Sequence, residues 1–554
     1  MTDSSNPDFL QGPYSCGFVP NTKLPNSAIG ADVGACYFAD NSCKVISTAD
    51  APTPGRACLE QGGILVPHAT SCSAIPPSNV DFTRANGYYV FNLVTNDLRN
   101  GVVDKHPLTD PRARQYSPIE TTNAASSWIK SQRAGQSWMA TASYALIHAP
   151  YQQAPQSLTP GEPDLGRLSC TNNIVDTRIL SNQMVEALDS EIGRLLVKTG
   201  IASQNQDGTL EYDPDASNTM VVVIGDNGTY GPSMKVPFDL QHAKGFVNQT
   251  GVWVPLIVSG PLVNTPDRDV DSMVNVADLF QLFGEIGGVD VRKLVPSSRI
   301  LDSVSMLPYL TNPLQPSIRT TNFTQTGINI SAGGARPGPC VLPIPGGSPT
   351  FVQIFPQPGL CAQEGGTWYG PGGPNPPDGG YPSCCALYAA NKIADLKVLP
   401  LAQHAVRNDK YKLIQEVNDS CTADQLQPDQ VPLQLYTIDE KPVTPLIEDP
   451  DNNNIIKDQN NPTSGMTPEQ VSNFQSLMNE LNTILNSNTQ CIGDGNADGK
   501  VDGQDVVNWA QFENRGSSWY DFYPFSTTGL YDGLTDQRDQ SVIQQNLGRT
   551  CQPR

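Results

Sequence analysis

Nothing in this sequence narrows the fold more than a run of five apolar residues, Met220 to Ile224, closed at once by Gly225-Asp226-Asn227-Gly228. A continuous β-branched stretch of that length suits a strand buried on both faces, as in a parallel sheet. Parallel strands need crossover connections, usually helices. The flanking sequence offers them. Over residues 172–198, Ile174, Ile179, Met184, Leu188, Ile192, Leu195 and Leu196 recur at mostly three-to-five spacing, and Gly200 supplies a stop. "WVPLIVSG" (253–260) reads as a second strand, and "VNVADLFQLFGEIGGVDV" as a helix closed by Gly287 and Gly288. Upstream, "SWMATASYALIHAP" reads as a strand at 137–145 followed by a turn bearing His148. The expected class is α/β, with a mostly parallel central sheet sandwiched by helices.

At 554 residues the chain is too long for one core, and at ~100–200 residues per domain it should hold two to four units. The α/β pattern occupies 1–318, although its first 80 residues read as cysteine-rich loop. Residues 319–400 are rich in Gly and Pro and hold Cys340, Cys361, Cys384 and Cys385, as in a disulfide-pinned insertion. "AVRNDKYKLIQ" (405–415) and "LQLYTID" (433–439) read as strands of a small antiparallel sheet within 401–447. A linker and a helix fill 448–490. The linker is the Asn- and Asp-rich stretch 448–466. In the helix, Thr467 is the N-cap, Pro468 the first position and Gln470 the closing member of a capping box. Val471, Phe474, Leu477, Leu481 and Ile484 form its apolar stripe. The last unit is 491–554.

The formal charge of −21 argues against a nucleic-acid partner, which requires a basic face. No run of about 18 apolar residues is present, so no membrane span is expected. Thirteen scattered cysteines with no zinc-like spacing point to an oxidising compartment. The polar start "MTDSSNPDFLQGPYSCGF" lacks the apolar stretch of an export signal. A secreted or periplasmic location then implies a start further upstream. Asn248, Asn322, Asn329 and Asn418 stand in glycosylation sequons.

Three short segments carry chemistry. Asp226 and Asn227 fall at the carboxyl end of a strand, where α/β sheets place ligands, and offer hard oxygen donors for Ca²⁺ or Mg²⁺. Lys244, before a Gly-containing turn, could hold an anionic ester oxygen. His148, at a strand end, could donate a proton to a leaving oxygen. Each also has a plainer reading, as a turn, a surface lysine and a loop histidine.

Their order and spacing change the weighing. "ALIHAPYQQAP" is similar to the "APHTPLQAP" turn of the sulfatase family of the alkaline phosphatase superfamily. "MVEALDSEIGRLLVKTG" resembles its next helix, and "VVVIGDNG" its metal-bearing strand. "KGFVNQTGVWVPLIVSGP" resembles "KGTLYEGGVRVPLIVSGP" in register from Lys244 to Pro255. "VADLFQLFGEIGGVDV", "RILDSVSMLPYL" and "AVRNDKYKLI" extend the likeness to about residue 440. The resemblance implies that Asp226 and Asn227 bind the active-site cation, usually calcium, and that Lys244 and His148 contact the sulfate of a sulfate-ester substrate, plausibly a polysaccharide. It also implies a formylglycine nucleophile made from a Cys-x-Pro-x-Arg motif. No cysteine here fits that motif: Cys58 lies in "GRACLEQGG" and Cys72 in "SCSAIPPS". The family's Asp-Asp pair and "GKWHLG" segment are missing as well, and all three precede the matched region in family order. The expectation is an N-terminally truncated chain that is inactive alone. Gln249 stands where the family has Glu, and Trp253 where it has Arg. A phosphodiesterase or phosphonate hydrolase of the same superfamily, or a non-catalytic calcium-dependent scaffold, are the alternatives.

Near the C-terminus, "GDGNADGKVDGQDVV" fits an EF-hand-type loop: Asp494, Asn496 and Asp498 at positions 1, 3 and 5, Gly499 at 6, the Lys500 carbonyl at 7, Asp502 at 9 and Asp505 at 12. A partial second copy offers Asp532, Gly533, Asp536 and Asp539 at 5, 6, 9 and 12, with Asp521 as position 1 if an insertion loops out. Cys491 and Cys551 could clasp the pair. An Asp at position 12 resembles dockerin-type repeats, which implies either docking to a cohesin-type partner or a calcium-stapled terminal domain without one.

Overall fold

A computed structural model of the protein describes residues 33–51, 54–78, 80–84, 89–97, 102–148, 151–160, 174–234, 242–295, 301–327, 338–342, 350–355, 358–363, 366–370, 372, 380–381, 384–391, 396–398, 402–417, 433–438, 454–487, 493–495, 500–513, 524–525, 530–531 and 535–550. The chain divides into two compact units, Met1–Met220 and Val221–Arg554.

In the first unit, strands β1 (Val33–Tyr37), β2 (Cys43–Ser47) and β3 (Ile64–Pro67) form an antiparallel sheet in the order β2-β1-β3. Helix α1 (Pro54–Glu60) lies between β2 and β3 in sequence. Disulfides Cys36–Cys58 and Cys43–Cys72 staple this element. So part of the segment read as loop is a small folded module. Its strands span four or five residues, too few to show a period. The hairpin β4 (Val94–Asp97) and β5 (Val102–Lys105) follows, and then helix α2 (Ser117–Lys130) packs on α3 (Ile174–Thr199). The Arg194 guanidinium ties the two helices, donating to Asn123 Oδ1 and to the Ile119 carbonyl, both at 2.9 Å. As expected, α3 stops at Gly200, whose φ of +76° few other residues adopt. A last hairpin joins β6 (Ala202–Gln204) to β7 (Leu210–Tyr212). The strand expected at 137–145 is absent: these residues pair with no strand and are exposed or half-buried.

In the second unit, β8 (Val221–Ile224) pairs antiparallel with β9 (Leu256–Ser259), Ile224 opposite Leu256. This corrects the expected parallel strand buried on both faces. All four β8 residues are half-buried, and β9 is its one partner among the described residues. An apolar run is compatible with deep burial but does not supply the second neighbour that burial requires. Helix α4 (Asp278–Ile286) ends at Gly287 and Gly288 as read. Its first residue, Asp278, is buried and accepts from the backbone of Asn275 and Val304 and from the Arg319 guanidinium.

Strand β10 (Asn322–Gly327) falls inside the segment read as an insertion, yet it belongs to a different sheet from its sequence neighbours. β11 (Gly338–Leu342), β12 (Thr350–Phe355), β13 (Thr367–Trp368) and β14 (Leu396–Val398) form a sheet in the order β13-β11-β12-β14, with helices α5 (Pro358–Gln363) and α6 (Cys384–Asn391). The β12–β14 pair is the parallel one among the described ladders. β10 instead pairs with β15 (Ala402–Arg407), which continues through β16 (Tyr411–Val417) to β17 (Leu433–Thr437), all antiparallel. Helix α7 (Pro468–Ser487) covers this sheet. Phe474, Leu477 and Leu481 pack on Val406, Tyr411, Leu413 and Leu435, with Ile484 at the margin. The capping box forms as read: Gln470 Oε1 accepts from Thr467 N at 2.9 Å, and Thr467 Oγ1 from Gln470 N at 3.3 Å.

The described part of the expected linker, 454–466, is instead a strap on the sheet edge. Asn454 Oδ1 accepts from both Leu435 N and Ile456 N at 3.0 Å, and Gln459 exchanges bonds with both backbone groups of Leu433. Asn454 and Gln459 satisfy the edge backbone instead of solvating a tether.

At the C-terminus, β18 (Pro524–Phe525) pairs with β19 (Leu530–Tyr531), and α8 (Gly503–Phe512) packs on α9 (Gln537–Gln545) around Val501, Trp509 and Ile543. The described sheets are small and largely antiparallel. No helix among the described residues is long and apolar enough to cross a membrane.

Candidate functional site

The second unit brings Asp226, Asn227 and Lys244 onto two loops that are bonded to each other. The chain leaves β8 through Gly225, whose N–H donates to the Pro255 carbonyl at 3.1 Å. Gly228 N then donates to Gly251 O at 2.8 Å, and Lys244 N donates to Thr229 O at 2.8 Å. Two glycines allow this approach. A Cβ on Gly228 would lie 2.1 Å from Thr250 O, and one on Gly251 would lie 2.2 Å from Phe246 O. Glycine is thus required at both places by backbone packing. Asp226, Asn227 and Lys244 are all exposed, and Asp226 Oδ1 accepts from Asn227 N at 2.8 Å.

The loop bearing Lys244 is anchored from below by the four-stranded sheet. Val247 is fully buried with Ala405, Ile414 and Tyr436, and its N–H donates to Gln403 Oε1 at 3.2 Å. Thr326 Oγ1 donates to Gly245 O at 3.2 Å. Gln249, where the family pattern has Glu, is buried with its Oε1 3.5 Å from the ammonium of the equally buried Lys412. An amide there keeps an acceptor oxygen toward the lysine. Trp253 is half-exposed. Sequence reading overlooked His242, whose carbonyl accepts from Thr250 Oγ1 at 2.9 Å and whose ring meets Phe246 edge-on at 5.4 Å. No motif marks it; only its loop places it here.

His148 lies in the first unit, exposed, in a turn closed by its own N–H donating to Ala145 O at 2.8 Å. The chain then runs into a buried stretch, Gln152 to Ala154.

For a cation, the donors at Asp226 and Asn227 are of the right kind but too few. Calcium takes 6–8 oxygens, and among the described residues no group of three His, Cys, Asp or Glu could hold a metal ion. The pair does not by itself make a calcium site.

The C-terminal loop differs. Asp505 is fully buried and reaches back across it: Oδ1 accepts from Gly495 N at 3.0 Å, and Oδ2 from Asp502 N at 2.8 Å. Position 12 is thereby bonded to position 2. Asp502 caps α8 and Asp536 caps α9 in matching capping boxes, with buried Asp505 and Asp539 as the third helical residues. The Arg538 side chain donates to Asp536 and holds its carboxyl below the usual carboxylate range. Lys500 bridges to Thr550. Asn496, Asp498, Asp521 and Asp532, with Cys491 and Cys551, lie outside the described residues. Of the sequons, Asn329 and Asn418 do too, whereas Asn248 is buried and Asn322 donates from Nδ2 to Val274 O at 2.8 Å, so neither is open to a glycan in the folded chain.

No protein-family model matches the chain, and no curated protein does. Solved structures similar to it include a phosphonate monoester hydrolase from Silicibacter pomeroyi, at 14% identity over 57% of this chain and 41% of that one, with a TM-score of 0.29. A 2-O GAG sulfatase matches at 13% identity over 56% and 43%, with a TM-score of 0.27. A protein in complex with its substrate D-glucosamine-2-N,6-O-disulfate matches at 16% over 56% and 43%, with a TM-score of 0.28. The chain spans less than half the length of each of these three. Its structural neighbours are thus sulfatases and a phosphonate monoester hydrolase, at low identity, and overlap this partial leaves function to the residues.

Proposed function

We propose that the chain is part of a sulfuric ester hydrolase of the alkaline phosphatase superfamily, acting on sulfated carbohydrate outside the cell or in the periplasm. One observation carries the reading: the adjacent pair Asp226 and Asn227 and, 17 residues further on, Lys244 stand on loops joined by the Lys244 N–Thr229 O bond at the end of β8. In this reading the Lys244 ammonium holds a sulfate oxygen. No step is assigned to a cation at Asp226 and Asn227. The sequence contains no Cys-x-Pro-x-Arg motif, and without a nucleophile there is no covalent step. The chain alone should bind sulfate esters without turning them over.

The test is ligand-dependent thermal shift with a sulfated disaccharide. A stabilising shift is expected for the chain and is expected to fall by at least half in Lys244→Ala. An unchanged shift in that variant sinks the reading. A shift with a methylphosphonate ester but none with the sulfate would favour the phosphonate alternative.

The bond from Gly495 N to Asp505 Oδ1 supports a second role, calcium binding by the C-terminal module. Asp494, Asn496, Asp498, the Lys500 carbonyl, Asp502 and Asp505 would hold the ion, and α8 and α9 would form a face for a cohesin-type partner.

A further inference from the structure

We infer that residues 33–67 and 338–368 are two copies of one disulfide-cored module, and that the first copy has acquired the task of holding the segment after His148. The two stretches share a spaced pattern. "GAC" leads to "PGRACLEQGG" in the first, and "GPC" to "PGLCAQEGG" in the second. Their cysteines are 22 and 21 residues apart, and both pairs are bonded with a Cα–Cα distance of 5.7 Å.

The backbones agree in finer detail. Each copy runs strand, strand, short helix, glycine pair, strand, and in each the cysteine-bearing first strand lies between the other two, antiparallel to both. Cys36 sits opposite Leu65, the seventh residue after Cys58; Cys340 sits opposite Trp368, the seventh after Cys361. Gly63 N donates to Cys58 O at 3.0 Å, and Gly366 N to Cys361 O at 2.8 Å. A Cβ on Gly63 would stand 2.4 and 2.8 Å from the two sulfurs, and one on Gly366 2.4 and 2.9 Å. The second glycine of each pair is therefore the floor on which the disulfide rests. Chemistry alone does not impose the same register, the same glycine offset and the same hydrogen bond on two unrelated stapled loops. Copying does.

The cores are correspondingly small. One is Cys36, Ile46, Cys58 and Leu65; the other is Cys340, Cys361 and Trp368. Modules of this size need a covalent staple.

The copies differ on the helix. In the first, the buried Arg56 guanidinium donates to Ala154 O at 2.6 Å and to Gln156 Oε1 at 2.7 Å. Glu60 Oε1 accepts from Gln156 N at 2.9 Å, and Leu59 packs with Tyr89, Tyr116, Ala154 and Leu158. This grips residues 154–158, a few positions after His148. The second copy has lost one residue before its cysteine and carries no arginine there. It has Ala362 and Gln363 where the first has Leu59 and Glu60, and Ala362 is exposed. The inference stands whether or not the hydrolase reading does.

The experiment is non-reducing peptide mapping followed by hydrogen exchange on the full chain. Mapping should find Cys36 joined to Cys58 and Cys340 to Cys361; either cysteine joined elsewhere refutes the duplication. Cys36→Ser/Cys58→Ser should raise exchange in 151–160 at least tenfold, and Cys340→Ser/Cys361→Ser should leave that segment unchanged. Should the first variant unfold, Arg56→Gln/Glu60→Gln serves instead, since it keeps the disulfide and should give the same rise. No rise in that variant, or an equal rise on breaking the second copy's disulfide, overturns the holding role.

Discussion

The β8–β9 ribbon and the four-stranded sheet beneath its loops reverse what their sequences suggest. β8 reads VVVI and β15 reads AQHAVR, yet the polar strand is the buried one. Val406 is fully buried, whereas Ile257 of β9 is 61% exposed. Burial belongs to a strand's neighbours. β15 has a strand on each side and α7 over its face; among the described residues β8 has one strand. The site-bearing ribbon is therefore held by its loops, and the sheet by its core.

The largest test of that contrast is truncation. Leu413→Ala, at a fully buried position under α7, should cost about 2–5 kcal/mol of unfolding free energy. Ile257→Ser on the ribbon should stay within about 0.5 kcal/mol, as exposed substitutions do. Denaturant midpoints of the two variants decide it, and a cost above about 2 kcal/mol for Ile257→Ser would mean that the ribbon has a cover after all.

A smaller effect tests the sheet's helix. Thr467→Ala removes the Oγ1 acceptor of Gln470 N and should cost about 1 kcal/mol. The loss should appear as faster hydrogen exchange over 468–473, while β8 and β9 exchange as before.

These outcomes bear on how much the sequence discloses. The capping box at Thr467 and the stops at Gly200 and Gly287 were readable because each is decided within one helical turn. The bond between the loops that bear Asp226 and Lys244, Lys244 N to Thr229 O, was not readable residue by residue, since nothing local to either residue names the other. The direction of β8 was not readable, because an apolar run states what a strand tolerates and leaves open what lies beside it. The strap at 454–466 was misread for the opposite reason: Asn454 and Gln459 are polar because they complete a sheet edge. The module at 33–67 left one usable trace, its repetition at 338–368, visible only when the two are set side by side.

The smallest expected effect is a pH dependence confined to the sheet. His404 lies on β15, stacked on Phe323 at 6.3 Å, and burial holds its pKa below the ordinary value. The folded state therefore takes up a proton less readily than the unfolded chain, whose histidines titrate near about 6.5. The stability this contributes is complete above that value. It drains away as pH falls from there through the folded-state pKa, because protonation then favours the unfolded chain. Sheet strands β15 and β16 should lose exchange protection between about pH 7 and 5, after correction for intrinsic rates. His404→Gln should flatten that loss while β8 and β9 behave as in the parent. A slope that survives the substitution would move the cause to another titrating group and leave burial of His404 without consequence for the sheet.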